Sequence, residues 1–401
     1  AATTLGCKVN QAETDSMLDM LKAAGANIVE FDEKADIYIV NTCSVTNIAD
    51  KKSRQMLHRA RKMNPDGIVI AAGCYVQSAR EILEQDEAID IVISNNKKKS
   101  ITEIVNDYIN VRNNEKNAPG KDHEAMEYFV DISRETEYEE MGGHVPVGHT
   151  RAYVKIQDGC NQFCSYCIIP YVRGRIRSRS QEAILAEVSE LAEAGIKEVV
   201  LTGIHISSYG KDKNNEGALI ELIEAISKIK GIKRIRLGSL EPGIITEEFV
   251  ERISSNSKVC PHFHLSLQSG CDSVLKRMNR KYTCEQYFEK CDMLRKAYKS
   301  PALTTDVIVG FPGETEEEFA ETVRYLTELN LYEMHIFKYS PRKGTVAAAM
   351  KEQVAPEIKN ERSDVLLKLA HDNKTAYEAQ FEGCELEVLV EEVVKKDNKT
   401  Y

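Results

Sequence analysis

The sequence lacks the features of a membrane or secreted protein. Its 401 residues contain no run of about 18 consecutive apolar residues, the length that a helix needs to cross a bilayer. The first residues, AATTLGCKVN, begin without Met and show no charged-then-apolar signal pattern, so we expect a processed or trimmed chain. With 42% hydrophobic and 29% charged residues, the composition predicts a globular protein, which we place in the cytoplasm without a membrane partner.

A disulfide framework and indiscriminate phosphate binding are also disfavoured. Eleven cysteines are an odd number in a large chain, which suits free thiols or metal ligands better than paired disulfides. The net charge of −10 opposes nonspecific attraction to a phosphate backbone, although a local basic patch could still hold RNA. The length exceeds that of one ordinary domain, and we expect two or three domains.

Strand and helix patterns alternate along the chain. Residues 1–112 contain three apolar runs separated by helical patterns, one of which covers 13–25, and this predicts an α/β domain with a doubly wound parallel sheet. The runs are DIYIV at 36–40, GIVIAA at 67–72 and IDIVIS at 89–94. Residues 113–147 are polar and acidic, and we interpret them as a linker with an embedded strand near EYFVDI, 127–132.

Six further strand patterns fall between residues 148 and 372. They are AYVKIQ at 152–157, EVVLTG at 198–203, RIRLGS at 234–239, FHLSLQ at 263–268, LTTDVIVG at 303–310 and MHIFKYS at 334–340. Six successive βα units predict a partial (β/α)6 barrel similar to a TIM barrel, whose chemistry belongs at the carboxyl ends of the strands. A helical pattern at 356–379 follows, and ELEVLVEEVV at 385–394 predicts a strand in a final segment, 373–401.

Three cysteines stand close together in DGCNQFCSYCIIP, directly after the first barrel strand. A structural zinc site uses four protein ligands, usually from two C-x2-4-C pairs, and no second pair stands here. A thioredoxin-like dithiol would leave Cys160 without a role and belongs to a smaller fold. A 4Fe-4S cluster held by Cys160, Cys164 and Cys167 keeps one iron open to a substrate or cofactor.

The C-x3-C-x2-C spacing on the first barrel loop, with Tyr166 before the last cysteine, resembles the radical S-adenosylmethionine (SAM) enzymes. The resemblance implies that the open iron chelates the amino and carboxylate groups of SAM. An electron from the cluster then breaks the bond between sulfur and C5′ and yields a 5′-deoxyadenosyl radical. The protein supplies positioning and excludes water, because the cofactor carries the chemistry. The resemblance also implies an electron donor such as flavodoxin or ferredoxin.

Other barrel positions match this resemblance. VIVGFPGE at 307–314 is similar to the adenine-contacting motif on the fifth strand of the superfamily, where glycines allow close approach. Without the cysteines, the same stretch would be an ordinary strand followed by a Pro-Gly turn. Small or polar residues also end the strands in LTGIH, LGSLEP and HLSLQSG. The residues predicted to contact SAM or substrate are Tyr166, Thr202, Gly203, Glu241, Ser266, Gln268, Val309, Gly310 and Phe311.

A second group of cysteines follows the strands of the first domain. Cys7, Cys43 and Cys74 each stand where a strand ends, which is the edge at which an open α/β sheet binds ligands. Three unrelated core cysteines would be the simpler explanation, since free cysteine often serves as a small buried residue. The shared position favours a second cluster held by three thiolates.

Together these features resemble the methylthiotransferase family of radical SAM enzymes. GCKVNQAET and NTCSVTNIADKKSRQ are similar to the branch that acts on N6-threonylcarbamoyladenosine in tRNA. The resemblance implies an auxiliary 4Fe-4S cluster on Cys7, Cys43 and Cys74 whose free iron carries the sulfur to be delivered. One SAM would methylate that sulfur. A second SAM, cleaved at the cluster on Cys160, Cys164 and Cys167, would activate C2 of the adenine at position 37, next to the anticodon. We assign no separate acid or base residue to this reaction.

The same six cysteines would also serve other activities. A methylthiotransferase of isopentenyladenosine in tRNA, or of an aspartate in a ribosomal protein, is one alternative. An iron–sulfur electron carrier is an alternative of another class, but it would need a closed fourth ligand on each cluster. In the family a TRAM domain, a small β-barrel, assists RNA binding, and we interpret 373–401 as the start of an incomplete one.

The sequence YVRGRIRSRS, 171–180, carries four arginines and no acidic residue. Arg173, Arg175, Arg177 and Arg179 are predicted to contact phosphates of a tRNA anticodon stem-loop, or else to hold an interdomain contact. A solvated run of charge is the alternative. We interpret the cysteines outside the two groups as structural thiols, and we interpret CPHFH, with Cys260, His262 and His264 at alternate positions, as a packed strand rather than a metal site.

Overall fold

The computed structural model describes residues 1–115, 125–143 and 150–390, together with the backbone of 395–396 and 399–400. These residues form two compact units. The first combines the described residues up to 143 with the segments Lys155–Gln162 and Cys167–Ser180, and the second contains the other described residues.

The first unit is built on a parallel sheet with the strand order β1-β2-β3-β4-β5. Its strands are β1 (Ala2–Thr4), β2 (Ile37–Thr42), β3 (Ile68–Gly73), β4 (Ile91–Ile93) and β5 (Met126–Tyr128). Its helices up to residue 115 are α1 (Lys8–Ala23), α2 (Asn47–Met63), α3 (Cys74–Ser78), α4 (Arg80–Glu84) and α5 (Ile101–Glu115). The strand expected inside the predicted linker is thus β5, an edge strand of this sheet.

Helices cover both faces of this sheet. Leu57 of α2 and Leu83 of α4 pack in one apolar cluster on one face, whereas Met17 of α1 and Ile104 of α5 pack in another cluster on the opposite face. This confirms the predicted α/β class with helices on both sides. The loops after β1 and β2 lead to helices on opposite faces, and such a switch is where an open α/β sheet binds its ligands.

The segment with the C-x3-C-x2-C motif contributes three short elements. Strand β6 (Arg151–Asp158) passes from the second unit into the first at Lys155, α6 spans Ile169–Val172, and β7 (Arg177–Ser178) pairs with the end of β6 in antiparallel register. Gly159 has a φ of +70°, and a Cβ there would overlap the carbonyl of Arg175. Glycine is therefore required where the chain leaves β6 and enters the motif.

The second unit contains the remaining strands predicted for the barrel. They are β8 (Glu198–Gly203), β9 (Arg234–Leu237), β10 (His262–His264), β11 (Ala302–Val309) and β12 (Glu333–Lys338). Strands β8 and β9 pair in parallel, as do β10, β11 and β12, and a parallel bridge from Leu240 to Leu265 connects the two sets. The partial barrel is confirmed at the level of fold, with helices α7 (Gln181–Glu193), α8 (Ala218–Ser227), α9 (Glu247–Ser254), α10 (Asp272–Arg277), α11 (Cys284–Ala297) and α12 (Glu316–Leu329).

Helix α12 begins in a capping box. The Thr315 side chain accepts from the backbone N–H of Glu318, and the Glu318 side chain accepts from the backbone N–H of Thr315. The Arg277 guanidinium donates to both Glu318 oxygens, at 2.8 and 2.6 Å. Hydrogen bonding to Arg277, together with the other contacts of the carboxylate, lowers the pKa of Glu318 to about 2. The acidic stretch after Gly313 is thus the start of a helix, as its composition predicts.

The last described elements differ from the prediction. Helix α13 spans Pro356–Ala379, as its pattern predicts, and continues past the proposed segment boundary at residue 373. Residues 385–390 form no strand, so the strand prediction is wrong there, and 391–394 lie outside the described residues. Apolar alternation predicts a strand only where a partner strand can pair with it. Strands β13 (Lys395–Lys396) and β14 (Lys399–Thr400) pair in antiparallel register, and a TRAM-like segment stays a prediction. None of the helices in the described residues has the length and apolarity to cross a membrane.

Candidate iron–sulfur and SAM site

Three thiols lie at the carboxyl edge of the first unit's sheet. Cys7 stands between β1 and α1, Cys43 directly follows β2, and Cys74 is the first residue of α3 after β3. Cys43 and Cys74 are buried, while Cys7 is exposed. All three thiols therefore lie where neighbouring parallel strands of one sheet end.

Glycine allows the backbone to pass close to this group. Gly6 has a φ of +102°, and a Cβ there would lie 2.8 Å from both Cβ and Sγ of Cys43. Gly73 has a φ of +97°, and its Cβ would lie 2.5 Å from the side-chain oxygen of Asn41. A larger residue at either position would be strained in the left-handed region and would overlap its neighbour. The backbone directly before two of the three thiols therefore requires glycine.

The protein around Cys7 and Cys43 favours the neutral form of these two thiols. Burial raises the pKa of Cys43 to about 11. Cys7 keeps an exposed surface, yet the protein packed around it raises the pKa of its thiol, and Arg173 only partly opposes that effect. Because thiolates are the ligands of iron, metal binding here would release protons and would be driven by the metal–sulfur bonds.

Arg173 connects Cys74 to a buried ionic network. Its Nε donates to Cys74 Sγ at 3.2 Å, and Nη1 donates to Glu13 Oε1 and to Asp158 Oδ2, the latter at 3.1 Å. Its Nη2 donates to Asn10 Oδ1 at 2.5 Å and to Glu13 Oε2 at 3.1 Å. All five N–H donors of a guanidinium are thus used. Burial alone would lower the pKa of Arg173, but the surrounding sulfur and carboxylates raise it well above its ordinary value.

The network contains more cations than carboxylates. Glu13 also pairs with Lys98 and Lys155, and Asp158 accepts from Lys155 at 2.6 Å. The buried charged groups that act on one another here are the cations Lys98, Lys155, Arg173 and Arg177 and the carboxylates Glu13, Asp158 and Glu139. One positive charge is left in excess, and buried charges are stable only when paired.

This excess charge and the three thiols fit an iron–sulfur cluster. A cluster held by three thiolates is anionic, and it would offset the remaining positive charge beside Arg173. The N–H···S bond from Arg173 to Cys74 is the kind of contact that tunes such a cluster. The donor set therefore suits a 4Fe-4S cluster with one iron left without a cysteine.

The four arginines of YVRGRIRSRS have different environments. Arg173 and Arg177 are 0% and 1% exposed, and Arg179 is buried and pairs with Glu140. A guanidinium held inside the protein cannot contact an RNA phosphate, so the predicted phosphate contact is wrong for these three residues. The alternating arginines resemble an exposed basic run because their acidic partners are distant in sequence. Arg175 is exposed and stays a candidate for RNA contact.

The second cysteine group lies on the loop between β6 and α6. The buried Cys160 donates its backbone N–H to the Gly174 carbonyl at 3.0 Å, and its Sγ accepts from the N–H of Gln162 at 3.4 Å. Cys164 Sγ accepts from Arg280 Nη1 at 3.1 Å. Cys167 stands two residues before α6 and is half-buried. Hydrogen bonds to a ligand sulfur are the kind of contact that orients and tunes an iron–sulfur cluster.

Arg280 links this loop to two of the predicted contact residues. Its Nη2 donates to both oxygens of Glu241 at 2.9 Å and to the carbonyl of Ser266 at 3.2 Å. Burial would raise the pKa of Glu241, but His205 and Arg280 together lower it. Arg280 therefore orients Glu241 and the Cys164 sulfur at once. Arg280 could not be singled out from the sequence, because MNRKYT contains no motif that distinguishes this arginine from a surface one.

Tyr166 and Phe311 share one apolar cluster. Phe311 and Tyr339 belong to its buried core, and Tyr166 packs against it. Gly310, at a φ of +68°, donates its N–H to Glu314 Oε2 at 2.7 Å. A Cβ on Gly310 would overlap the side chain of Lys359 in α13. The close approach that this glycine allows is thus made by the protein's own lysine.

The other predicted contact residues end barrel strands. Thr202 is buried and Gly203 is half-buried at the end of β8, and Val309 is buried at the end of β11. Gln268 has a φ of +80° and donates its N–H to the Asp306 carbonyl at 2.9 Å. A non-glycine residue in this region is strained, and such strain clusters at binding sites. These four assignments stay predictions.

Comparison with known protein families matches two separate parts of the chain. Residues 154–326 match the Radical SAM superfamily, and residues 1–94 match the family described as Uncharacterized protein family UPF0004. Among solved structures, the radical S-adenosylmethionine methyltransferase TsrM from Kitasatospora setae, with cobalamin and a 4Fe-4S cluster bound, is similar with a TM-score of 0.59 and 16% identity. The similarity covers 82% of this chain and 73% of that one, and it defines a radical SAM fold.

Curated relatives extend over nearly the whole chain. The threonylcarbamoyladenosine tRNA methylthiotransferase MtaB of Bacillus subtilis is 40% identical over 98% of this chain and 85% of its own length. The tRNA-2-methylthio-N(6)-dimethylallyladenosine synthase of Thermoanaerobacter pseudethanolicus is 36% identical over 98% of this chain and 82% of its own. The chain therefore belongs to the methylthiotransferase family of radical SAM enzymes. Its cofactors are SAM and 4Fe-4S clusters.

Proposed function

We propose that this chain adds a methylthio group to C2 of N6-threonylcarbamoyladenosine in tRNA, which combines sulfur insertion with methyl transfer. The observation that carries the proposal is the 40% identity to the threonylcarbamoyladenosine enzyme of Bacillus subtilis over 98% of the chain. The presence of two separate groups of three cysteines supports the proposal, since one cluster must cleave SAM and the other must carry the sulfur that is inserted.

The two clusters are assigned to the two cysteine groups. Cys7, Cys43 and Cys74 hold the auxiliary cluster, and the motif cysteines, Cys160, Cys164 and Cys167, hold the cluster that binds SAM. When bound, these groups supply the carbon radical and the sulfur for a C–S bond at an otherwise inert C–H position.

The chain's own residues prepare both sites. Arg173 supplies a fixed positive charge and one N–H donor to the sulfur of Cys74. Arg280 holds the sulfur of Cys164 and the carboxylate of Glu241 in one geometry. Because both arginines are buried, their hydrogen bonds act in a medium of low polarity, where they are stronger than in water.

A tRNA partner needs a cationic surface, and the first unit offers one on α2. Three basic residues are exposed in the first half of α2, the helix that follows Cys43. We call them the α2 basic surface: Lys51, Lys52 and Arg54. We assign this surface, with Arg175, to phosphate contacts of the anticodon stem-loop. A tRNA substrate also supports a cytoplasmic location, and cleavage of SAM requires a one-electron donor such as flavodoxin or ferredoxin.

Iron analysis of the anaerobically reconstituted protein tests the cluster assignment. The parent should bind about eight irons per chain, and the variant with alanine at Cys160, Cys164 and Cys167 should keep about four, because each cluster contains four. Cys384→Ala is the matched control, since this exposed cysteine belongs to neither group, and it should retain the parent's iron. Four irons in the parent, all lost in the triple variant, would remove the auxiliary cluster and the sulfur-transfer function with it.

A substrate assay tests the reaction itself. The reconstituted protein is incubated with SAM, a reductant and anticodon stem-loops carrying threonylcarbamoyladenosine, dimethylallyladenosine or unmodified adenosine. Mass spectrometry of the digested nucleosides should show a methylthio group in place of one hydrogen on the first substrate. Methylthiolation of dimethylallyladenosine alone would establish the alternative tRNA activity. Modification of a ribosomal-protein aspartate would establish the protein-directed one, and clusters without SAM cleavage would indicate an electron carrier.

A further inference from the structure

His264, Asp306 and His335 come together on three neighbouring strands of the second unit. The parallel register places His264 of β10 opposite Thr304 of β11, and Asp306 of β11 opposite His335 of β12. One nitrogen or oxygen atom of each of the three residues lies within 4.8 Å of the others. The two imidazole rings stack, with centroids 5.8 Å apart and an angle of 21° between their planes.

One polar atom of this group lacks a hydrogen bond. His264 Nδ1 is paired with Thr304 Oγ1 at 3.0 Å. Its Nε2 is buried and lies 3.4 Å from Asp306 Oδ2, but makes no hydrogen bond within the described part of the chain. His335 is exposed, so the group is open on one side. Buried polar atoms are nearly always paired, and an unpaired one next to an opening indicates a place for a ligand.

The face of β11 that carries Asp306 leads from this group to the residues beside the loop with the C-x3-C-x2-C motif. Asp306 and Ile308 share a face because side chains two apart on a strand point the same way. Ile308 packs against the buried apolar cluster that contains Phe311, and Tyr166 packs against the same cluster. Two residues along a strand span about 7 Å. Asp306 is therefore within reach of a group attached to a substrate that lies beside Tyr166.

The chain directly after β10 makes a second connection of the same length. Ser266 follows His264 by two residues, and its carbonyl accepts a hydrogen bond from Arg280 at 3.2 Å. Arg280 in turn donates to the sulfur of Cys164. The group thus lies two residues before Ile308 and two residues before Ser266. Both of these residues lead to side chains around the loop with the C-x3-C-x2-C motif.

We propose that His264, Asp306 and His335 form the subsite for the polar substituent on N6 of the substrate adenosine. The inference rests on the proposed function and adds the residues that select its substrate. A threonylcarbamoyl group presents urea N–H and hydroxyl donors, a urea carbonyl and a carboxylate. Asp306 accepts from the donors, and the imidazoles donate to the carbonyl or the carboxylate.

The same group disfavours an apolar substituent. A dimethylallyl group offers no hydrogen bonds, so its binding would leave His264 Nε2 unpaired and would remove water from the partly exposed Asp306 carboxylate without replacing it. Polar sites reject ligands that lack the matching polar atoms strongly for this reason. The subsite therefore favours the threonylcarbamoyl group, which pairs with its polar atoms, over the dimethylallyl group, which does not.

Binding of anticodon stem-loops to His335→Phe tests the proposal. Phenylalanine keeps a ring against His264 but cannot donate a hydrogen bond. The affinity for the threonylcarbamoyl stem-loop should fall by about tenfold to a hundredfold, the effect of losing one hydrogen bond to a charged group. Affinity for the unmodified stem-loop should stay the same. His371→Phe on α13 is the matched control, because this exposed histidine lies outside the group, and it should keep the parent's preference.

Asp306→Asn provides a second, isosteric variant that decides the matter if His335→Phe fails to fold. It should also lose preference for the threonylcarbamoyl stem-loop, with unchanged circular dichroism. If both folded variants keep the parent's preference, the proposal is overturned. Stoichiometric binding of Co²⁺ by the metal-free parent, lost in either variant, would show a metal site instead and would also overturn it. Failure of the parent to methylthiolate threonylcarbamoyladenosine would refute the proposed function, which is a separate result.

Discussion

Replacement of Arg173 by methionine separates the two roles that this residue has been given. The arginine of a phosphate-binding run would contribute to RNA affinity and little to stability. The buried Arg173 of the structure instead donates five hydrogen bonds, three of them to carboxylates and one to the sulfur of Cys74. Methionine has a similar length and fills the space without the charge, so that the lost interactions dominate the outcome.

The expected loss of stability follows from what remains in the network. Removal of one partner from a buried ion pair costs about 3 to 5 kcal/mol. Glu13 keeps Lys98 and Lys155, and Asp158 keeps Lys155, so neither carboxylate is left without a cation. We therefore expect about 3 kcal/mol, the lower end of that range, in protein without its clusters. The loss should be larger with the auxiliary cluster bound, because its negative charge then has no buried counterion.

Urea unfolding under anaerobic conditions, with and without reconstituted clusters, measures both values. Arg175→Met is the matched control. This neighbour is exposed, and its replacement should change the free energy of unfolding by about 0.5 kcal/mol or less. Iron analysis should show loss of the auxiliary cluster in Arg173→Met only. A folded Arg173→Met protein that retains its iron and its stability, but binds the anticodon stem-loop more weakly, would refute the buried-network explanation and restore the phosphate contact.

Three further predictions concern other parts of the chain. Gly6→Ala should lose the auxiliary cluster, while Gly25→Ala, with a similar φ of +97° but nothing within 4 Å of its Cβ, should lose only about 1 kcal/mol and keep its iron. Glutamate at all three positions of the α2 basic surface should weaken stem-loop binding and reduce the slope of log affinity against log salt by about 2 to 3, since three phosphate contacts disappear. The pKa of Glu318 lies at about 2, below its usual 4.5, so its pairing with Arg277 stabilises the fold above pH 4.5 and is lost as the pH falls towards 2; Glu318→Gln should flatten this part of the stability profile in acid-unfolding experiments.

Each of these has a contradicting result. Equal iron in the two glycine variants would show that the contact with Cys43 does not matter. An unchanged salt slope would remove α2 from the RNA interface. An acid-unfolding profile of Glu318→Gln that follows the parent's would mean that this carboxylate gains nothing from folding.

Local patterns were sufficient for most of the fold. The run at 36–40 predicts β2, observed at Ile37–Thr42, and the pattern at 356–379 matches α13. Buried parallel strands and amphipathic helices carry their signal within a few residues, so a single sequence indicates them. The strand expected at 385–394 failed in its described part because a strand also needs a partner, and that information is not local.

The candidate site divides in a similar way. The positions of Cys7, Cys43 and Cys74 follow from one rule, that parallel strands end at the same edge of a sheet. The burial of Arg173 does not follow from any rule of that kind, because its partner Glu13 stands 160 residues earlier in the chain. Arg280 was missed for the same reason, since it meets the sulfur of Cys164 across 116 residues. Contacts of this range are decided by the packing of the whole unit.

The buried network also determines which pieces of the chain can be exchanged between relatives. The matched families divide the sequence into 1–94 and 154–326, but Glu13 of the first segment shares its charge with Lys155 and Arg173 of the second. A hybrid joined between these segments takes Glu13 from one parent and its buried partners Lys155 and Arg173 from the other. It will fold only when both parents carry matching charges, so compatibility at these buried positions, rather than overall similarity, should govern the success of recombination in this family.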